Sequence, residues 1–419
     1  MVWGAPRILG AISGTIAYSV GQWILVVLIA RVGSVEMLGE YAFALAVTAP
    51  IFMLSNLRLR FVLASDHDQT PFADFLKLRL ILTGIAVIVA VGIGFEVATS
   101  SVGFGVVLAI TAFKAAEAVG DIGLGLFQAR EKMLLAGRAY WLLTAISLSA
   151  FGGALILSGS LILACVAMAC GRVGLLYVYE VPRWRDIEEE RNGDGAAAVT
   201  PIEAWCSAPN SRVLALFKRA WPLGGSAVLD SLNTNIPRYF ALSISGAAGL
   251  GAFAAMTTLS QGVFLLVNSV AQVKLPALAR TAVSGQRSRF WRDLAGMATT
   301  GLAIGVAGVL IAWMGGESIL RVVFGEGFLR DANAFVPIML GGLCSVLALV
   351  GTYALTALGD YRFQFVGYLA CSLAIIVFCG TIAQGGELVD LAIALAKAQL
   401  IHVVVAGSLI LALARRRVG

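Results

Sequence analysis

The chain has 419 residues, of which 59% are hydrophobic and only 13% charged, with a formal net charge of +6. Soluble domains carry about 25% charged residues, so an ordinary globular protein is excluded. The basic excess follows the loops of a membrane chain, which removes the usual inference of a nucleic-acid partner.

Apolar stretches long enough to cross about 30 Å of hydrocarbon recur along the chain, and lipid-exposed backbone must satisfy its own hydrogen bonds as helix. In chain order the predicted spans are 8–30, 41–64, 80–98, 104–128, 133–157 and 160–181, then 219–243, 250–273, 294–316, 335–358, 364–384 and 388–414. The first run is long enough to remain a membrane span, and no cleavable leader pattern is read there. With the amino terminus placed inside, the loop Lys and Arg residues fall on the inner side except Arg31, Arg238, Arg321 and Arg330. One missed span would scramble that alternation. The expectation is an all-α polytopic protein of about twelve transmembrane helices, with both termini cytoplasmic. The six cysteines show no metal-ligand spacing and no disulfide framework, and no cofactor is implied.

The longest polar stretch, 183–212, is charged and then rich in small residues. It reads as a cytoplasmic linker between an amino-terminal lobe, 1–182, and a carboxy-terminal lobe, 213–419. Across it runs a weak repeat. Leu38-Gly39-x-Tyr41-Ala42 matches Leu250-Gly251-x-Phe253-Ala254, and the same offset sets Asn56 on Asn268 but Tyr18 against Asp230. Six spans per half give both halves one orientation, hence parallel repeats. Two six-helix bundles around a central cavity are expected.

Charged groups inside spans are costly and therefore candidates for function. In the fourth span Thr111, Lys114, Glu117, Asp121 and Gln128 form one helical stripe, read either as a cavity lining or as an internal Lys114–Glu117 ion pair. The seventh span carries Asp230, Asn233, Asn235 and Arg238 with Pro222 and Pro237, as a broken helix beside a binding site would. Asp230 is either a coupling group or a structural partner of a cation such as Lys397, which shares a face with Asp390. His402 stands alone on an apolar helix and reads as packed rather than as a proton relay. Arg58, Arg60, Arg138 and Arg172 lie towards the inner side of the first half. Each is either a snorkelling anchor or part of a cationic cluster fit for phosphate oxygens. Asn56 and Arg60, four apart, share a helix face, whereas Arg58 and Arg60, two apart, cannot point the same way. Asp66, His67 and Asp68 follow directly. Segments 68–79, 211–221 and 282–293 read as short amphipathic anchors on the inner face.

The stretch "LIARVGSVEMLGEYA", with Gly14 before it and "NLRLR" and Asp66 after it, resembles bacterial polysaccharide-biosynthesis transporters. These are the O-antigen, capsule and exopolysaccharide flippases of the multidrug/oligosaccharidyl-lipid/polysaccharide exporter superfamily. The resemblance covers the first two spans. It implies two bundles forming a V-shaped cavity and an inner-membrane flippase that moves an oligosaccharide on polyprenyl pyrophosphate to the outer leaflet. Arg58, Arg60, Arg138, Arg172, Lys114, Lys397 and Asn56 are then the candidate substrate-binding residues. Glu117, Asp121, Asp230 and Asn233 are the candidate cavity or ion-coupling residues, for H+ or Na+. The deep acids fit poorly with a purely cationic cavity. They keep open a cation-coupled multidrug antiporter of the same superfamily. A membrane-embedded glycan polymerase or ligase is disfavoured by the short outer loops and by the lack of a nucleophile–base set. Other partners implied are membrane lipids and further glycan-assembly membrane proteins.

Overall fold

A computed structural model describes residues 5–64, 70–98, 100–192, 200–358, 361–382 and 385–417. Asp66, His67 and Asp68 lie outside them. Every regular element among the described residues is helical: α1 (Ala5–Val32), α2 (Val35–Asn56), α3 (Leu59–Ala64), α4 (Phe72–Val97), α5 (Ser101–Ala129), α6 (Met133–Ser158) and α7 (Leu161–Leu175). A π turn, Leu176–Glu180, leads into α8 (Val181–Asn192), followed by α9 (Pro201–Ser207), α10 (Asn210–Val283), α11 (Arg287–Val323), α12 (Phe335–Ala357), α13 (Tyr361–Gly380) and α14 (Leu388–Arg417). The protein is an all-α polytopic membrane protein.

Among the described residues eleven helical segments are long and apolar enough to cross a membrane. One of them, Ala227–Leu275, has 49 residues and accounts for two of the twelve expected spans. It lies within α10, whose 74 residues would measure about 110 Å if straight, far more than one bilayer. The helix breaks at Gly246, where φ of 65° and ψ of −162° suit a residue without Cβ.

The chain forms two compact units, one of residues 1–33 and 43–228, the other of residues 34–42 and 229–419. In the first, α5 packs on α3, α4 and α7, and α1 packs on α6. Phe72, Phe75, Phe127 and Trp184 fill its core. In the second, α12 packs between α11 and α14, around Phe290, Met297, Val346 and Leu355. Outward faces carry exposed Ile88, Ile156, Leu157, Trp313 and Met314, as lipid contact requires.

The polar segment read as a linker is helical over much of its length and packs in the first unit. Trp184 is fully buried against Phe72 at 5.7 Å between ring centroids. Thr200 and Glu203 form a capping box at the start of α9. Lys77 Nζ donates to the Ala208 carbonyl at 2.8 Å, and Arg212 pairs with buried Asp74 at 2.9 Å. Of the expected surface anchors, 68–79 is corrected accordingly. Residues 72–79 open α4 and are all buried, while 210–221 and 287–293 are the first turns of α10 and α11. The polar residues of 72–79 find partners inside the first unit, and that is why they leave the surface.

The two copies of the repeat touch each other inside the second unit. A Cβ on Gly39 would meet the Ala247 backbone, and one on Gly251 would stand 3.0 Å from the Gly39 nitrogen. Glycine at both positions permits this close crossing.

Candidate functional site

The site begins where α2 stops. Leu57 and Arg58 take positive φ values of 44° and 52°, and α3 restarts at Leu59. L-residues reach that region at a cost of about 1–2 kcal/mol, which the surrounding packing holds in place. Asn56 and Arg60 therefore do not sit on one continuous helix, and the shared-face reasoning gives way to a different geometry. The break turns α3 onto α5, where Gly125 lets the Arg60 backbone approach: a Cβ there would stand 3.2 Å from the Arg60 Cα.

Arg60 then spreads over three partners. Its Nε donates to Gln128 Oε1 at 3.0 Å, and its Nη1 donates to Asp121 Oδ1 at 3.2 Å and to the Tyr140 hydroxyl at 2.7 Å. From α4, Arg79 reaches the other Asp121 oxygen with Nη2 at 3.3 Å and donates to Asn56 Oδ1 with Nη1. Arg79 is fully buried, whereas Arg60 and Asp121 are 18% and 29% exposed. One carboxylate is thus shared between two guanidinium groups, leaving one positive charge unbalanced.

Further along α5, Lys114 pairs with Glu117 at 2.6 Å, and the Tyr18 hydroxyl donates to the other Glu117 oxygen. The Tyr18 and Tyr140 rings lie 5.6 Å apart, so the two clusters form one continuous polar band. On α5, residues 116–127 are otherwise buried, and Glu117 and Asp121 are the exceptions. Lys114, Glu117, Asp121 and Gln128 are all partly accessible, while Thr111 is buried. The band counts three cations, Arg60, Arg79 and Lys114, against two acids, Glu117 and Asp121. It can therefore hold an anion in a region where water screens little.

Behind the band, Arg172 and Glu180 form a two-pronged pair with both bonds at 3.0 Å and side chains 2% and 3% exposed. The π turn carries Glu180 into place opposite Arg172. Arg172 is thus committed to Glu180. Arg58 and Arg138 are exposed and form no ion pair among the described residues. Lys397 is exposed on α14 and lines a shallow pocket with Asp390. Asp230 and Asn233 line a separate cavity in the second unit. Asn233 donates to the Tyr368 carbonyl and accepts from Ser372.

Three members of the band, Tyr18, Arg79 and Tyr140, are missing from the sequence reading. The available signal was position: Arg79 lies a full two turns inside α4, too deep for a flanking anchor. Tyr18 and Tyr140 come from helices that only tertiary packing brings to α5. Among the described residues no group of His, Cys, Asp and Glu is placed to hold a metal ion.

No family model matches the chain. Its sequence is 25% identical over 366 residues to the capsular polysaccharide biosynthesis protein CapF of Staphylococcus aureus, covering 85% of this chain and 86% of that protein. Its fold is similar to a multidrug resistance MATE family transporter of the MOP superfamily in an inward-facing conformation, with a TM-score of 0.76, 11% identity, and 97% and 99% of the two chains covered. It is also similar to the lipid II flippase MurJ, with a TM-score of 0.70, 13% identity, and 95% and 86% covered. The chain has the fold of the multidrug/oligosaccharidyl-lipid/polysaccharide exporter superfamily. The resemblance read from its first two spans, to the polysaccharide-biosynthesis transporters of that superfamily, is borne out.

Proposed function

We propose that the chain is a flippase that carries a polyprenyl-pyrophosphate-linked oligosaccharide from the cytoplasmic to the outer leaflet of the inner membrane by alternating access. The observation that carries this reading is the band on α5 in which Arg60 and Arg79 share Asp121. Its unbalanced positive charge is partly accessible, and guanidinium forks bind phosphate oxygens in pairs. Arg79, held by Asn56 and Asp121, supplies a fixed field. Arg60 is the accessible member, able to exchange Tyr140 or Asp121 for a pyrophosphate oxygen. The relative named for capsular polysaccharide biosynthesis and the fold shared with a lipid II flippase support the same substrate class.

The two six-span halves, 1–182 and 213–419, act as the lobes, with 183–212 joining them and both termini in the cytoplasm. Glu117 and Asp121 are the groups to which a coupling H+ or Na+ would bind. A second reading, a cation-coupled multidrug antiporter, is favoured by those acids and by the fold shared with MATE transporters.

The test is complementation of a strain that lacks its lipid-linked glycan exporter. Removing one charge-assisted hydrogen bond costs about 1.5–3 kcal/mol, so Arg60→Ala is expected to lower surface glycan by about 10- to 100-fold at normal membrane levels. Arg58→Ala, which breaks no ion pair, is expected to stay within about threefold of wild type. Wild-type export by Arg60→Ala would overturn the pyrophosphate role. Drug efflux without glycan export would select the antiporter.

A further inference from the structure

The second unit holds a cavity of about 330 Å³, at the lower end of the 300–1,000 Å³ typical of small-molecule sites. It lies wholly among α10, α12, α13 and α14. Its lining is not that of a packed bundle. Gln261, Gln399 and His402 contribute polar side chains, and Phe253, Phe264 and Tyr368 contribute rings.

His402 is only 6% exposed and is packed against the Tyr368 ring with 5.2 Å between centroids. It makes no hydrogen bond among the described residues; half-buried Gln399 and exposed Gln261 make none either, but they can be met by water. A polar side chain buried in a membrane bundle without a partner is unfavourable unless something in the cavity supplies one. By contrast Asn233 and Arg238 are already engaged, with Tyr368 and Ser372 and with Asn235 respectively. Asp230 and Arg238 line the same cavity with opposite charges, so it has no net sign to select an ion.

We infer that this cavity is a saccharide subsite: Gln261, Gln399 and His402 bind hydroxyl groups of one sugar residue, and Phe253, Phe264 and Tyr368 pack against its C–H faces. A carboxamide offers donors and an acceptor together, and a sugar hydroxyl is both donor and acceptor, so the two match without net charge. A hydrocarbon ligand would leave the buried imidazole unsatisfied. This inference rests on the flippase reading and extends it, since it places glycan recognition in the unit that lacks the paired arginines.

The experiment measures binding of two lipids to the purified full chain in nanodiscs. One is the lipid-linked oligosaccharide extracted from the native host, the other polyprenyl pyrophosphate without sugar. Wild type is expected to bind the glycosylated lipid at least about tenfold more tightly, the worth of one to two net hydrogen bonds. Gln261→Ala/Gln399→Ala and His402→Leu should bring that ratio towards one while sugar-free binding stays unchanged, and His402→Gln should restore part of it. Thermal unfolding of each variant confirms that it folds. Equal binding of the two lipids by wild type would overturn the inference and leave the flippase reading standing. A variant that weakens both lipids equally, or neither, would also overturn it, reducing the cavity to a structural or water-filled space. Wild type that binds neither lipid would remove the flippase reading and this inference together.

Discussion

Asp121 is the residue on which the band depends, because it pairs with two guanidinium groups at once. Without its charge, Arg79 would keep only the Asn56 carbonyl while remaining fully buried. Breaking a buried ion pair by removing one partner costs about 3–5 kcal/mol, whereas replacing both charged groups by neutral ones is often nearly neutral. Asp121→Asn is therefore expected to lower thermal stability sharply, and Asp121→Asn/Arg79→Gln to recover much of the loss, in a fluorescence-detected thermal unfolding assay. A double variant no more stable than the single one would show that Asp121 does not serve Arg79. Arg79→Lys should fail to substitute, since one ammonium cannot span Asn56 and Asp121 together. These partners explain how much of the site was legible. The stripe Lys114, Glu117, Asp121 and Gln128 sits on one helix at helical spacing, so periodicity alone exposed it, together with the Lys114–Glu117 pair. Arg79, Tyr18 and Tyr140 reach it from three other helices, and no local pattern encodes that meeting. The misjudged link between Asn56 and Arg60 has a local cause. Nothing in "SNLRLR" carries the glycine or proline that normally marks a helix break.

At the scale of the element, α5 is the strut that holds the band on one face and glycines on others. Gly120 faces the Arg172–Glu180 pair, where a Cβ would stand 2.5 Å from Glu180 Oε2 and 2.8 Å from Arg172 Cζ. Gly123 faces the Trp184 indole in the same manner. Neither neighbour can retreat easily, since one is a two-bond ion pair and the other fills the core. Overpacking of this kind costs about 1–3 kcal/mol. Gly120→Ala is expected to reduce the yield of folded protein by size-exclusion chromatography. Gly153→Ala, whose Cβ would meet nothing within 4 Å inside α6, should be neutral or stabilising by about 0.5–1 kcal/mol. If both variants behaved alike, helix propensity and not packing on Arg172 would govern α5. Span existence was plain from hydropathy because length and composition are local properties. The depth of residues 72–79 was not, because their burial depends on α8, α9 and the start of α10 folding back over them.

For the whole molecule, the repeat gives a measure of how far the halves have diverged. Asn56 and Asn268 occupy matching places near the ends of the second span of each half. Asn56 accepts from an ionised, buried Arg79, and Asn268 accepts from the neutral Tyr353 hydroxyl at 2.8 Å. Hydrogen bonds to charged groups contribute about 1.5–3 kcal/mol and neutral ones about 0.5–1.5. Asn56→Ala is therefore expected to destabilise more than Asn268→Ala in the same unfolding assay, and the reverse order would contradict the charge asymmetry. The first unit keeps the two arginines that share one acid, while the second keeps the cavity lined by Gln261 and Gln399.

The π turn at Leu176–Glu180 gives this chain a constraint on length as well as on residue type. A π turn accommodates one residue more than an α turn, and one residue corresponds to about 100° of helix rotation. Losing a single residue from it would swing all of α8 about its axis and carry Trp184 and Ile187 away from the core they fill. It would also separate Glu180 from Arg172. Homologous chains that share this packing should therefore accept changes of side chain in the turn far more readily than insertions or deletions.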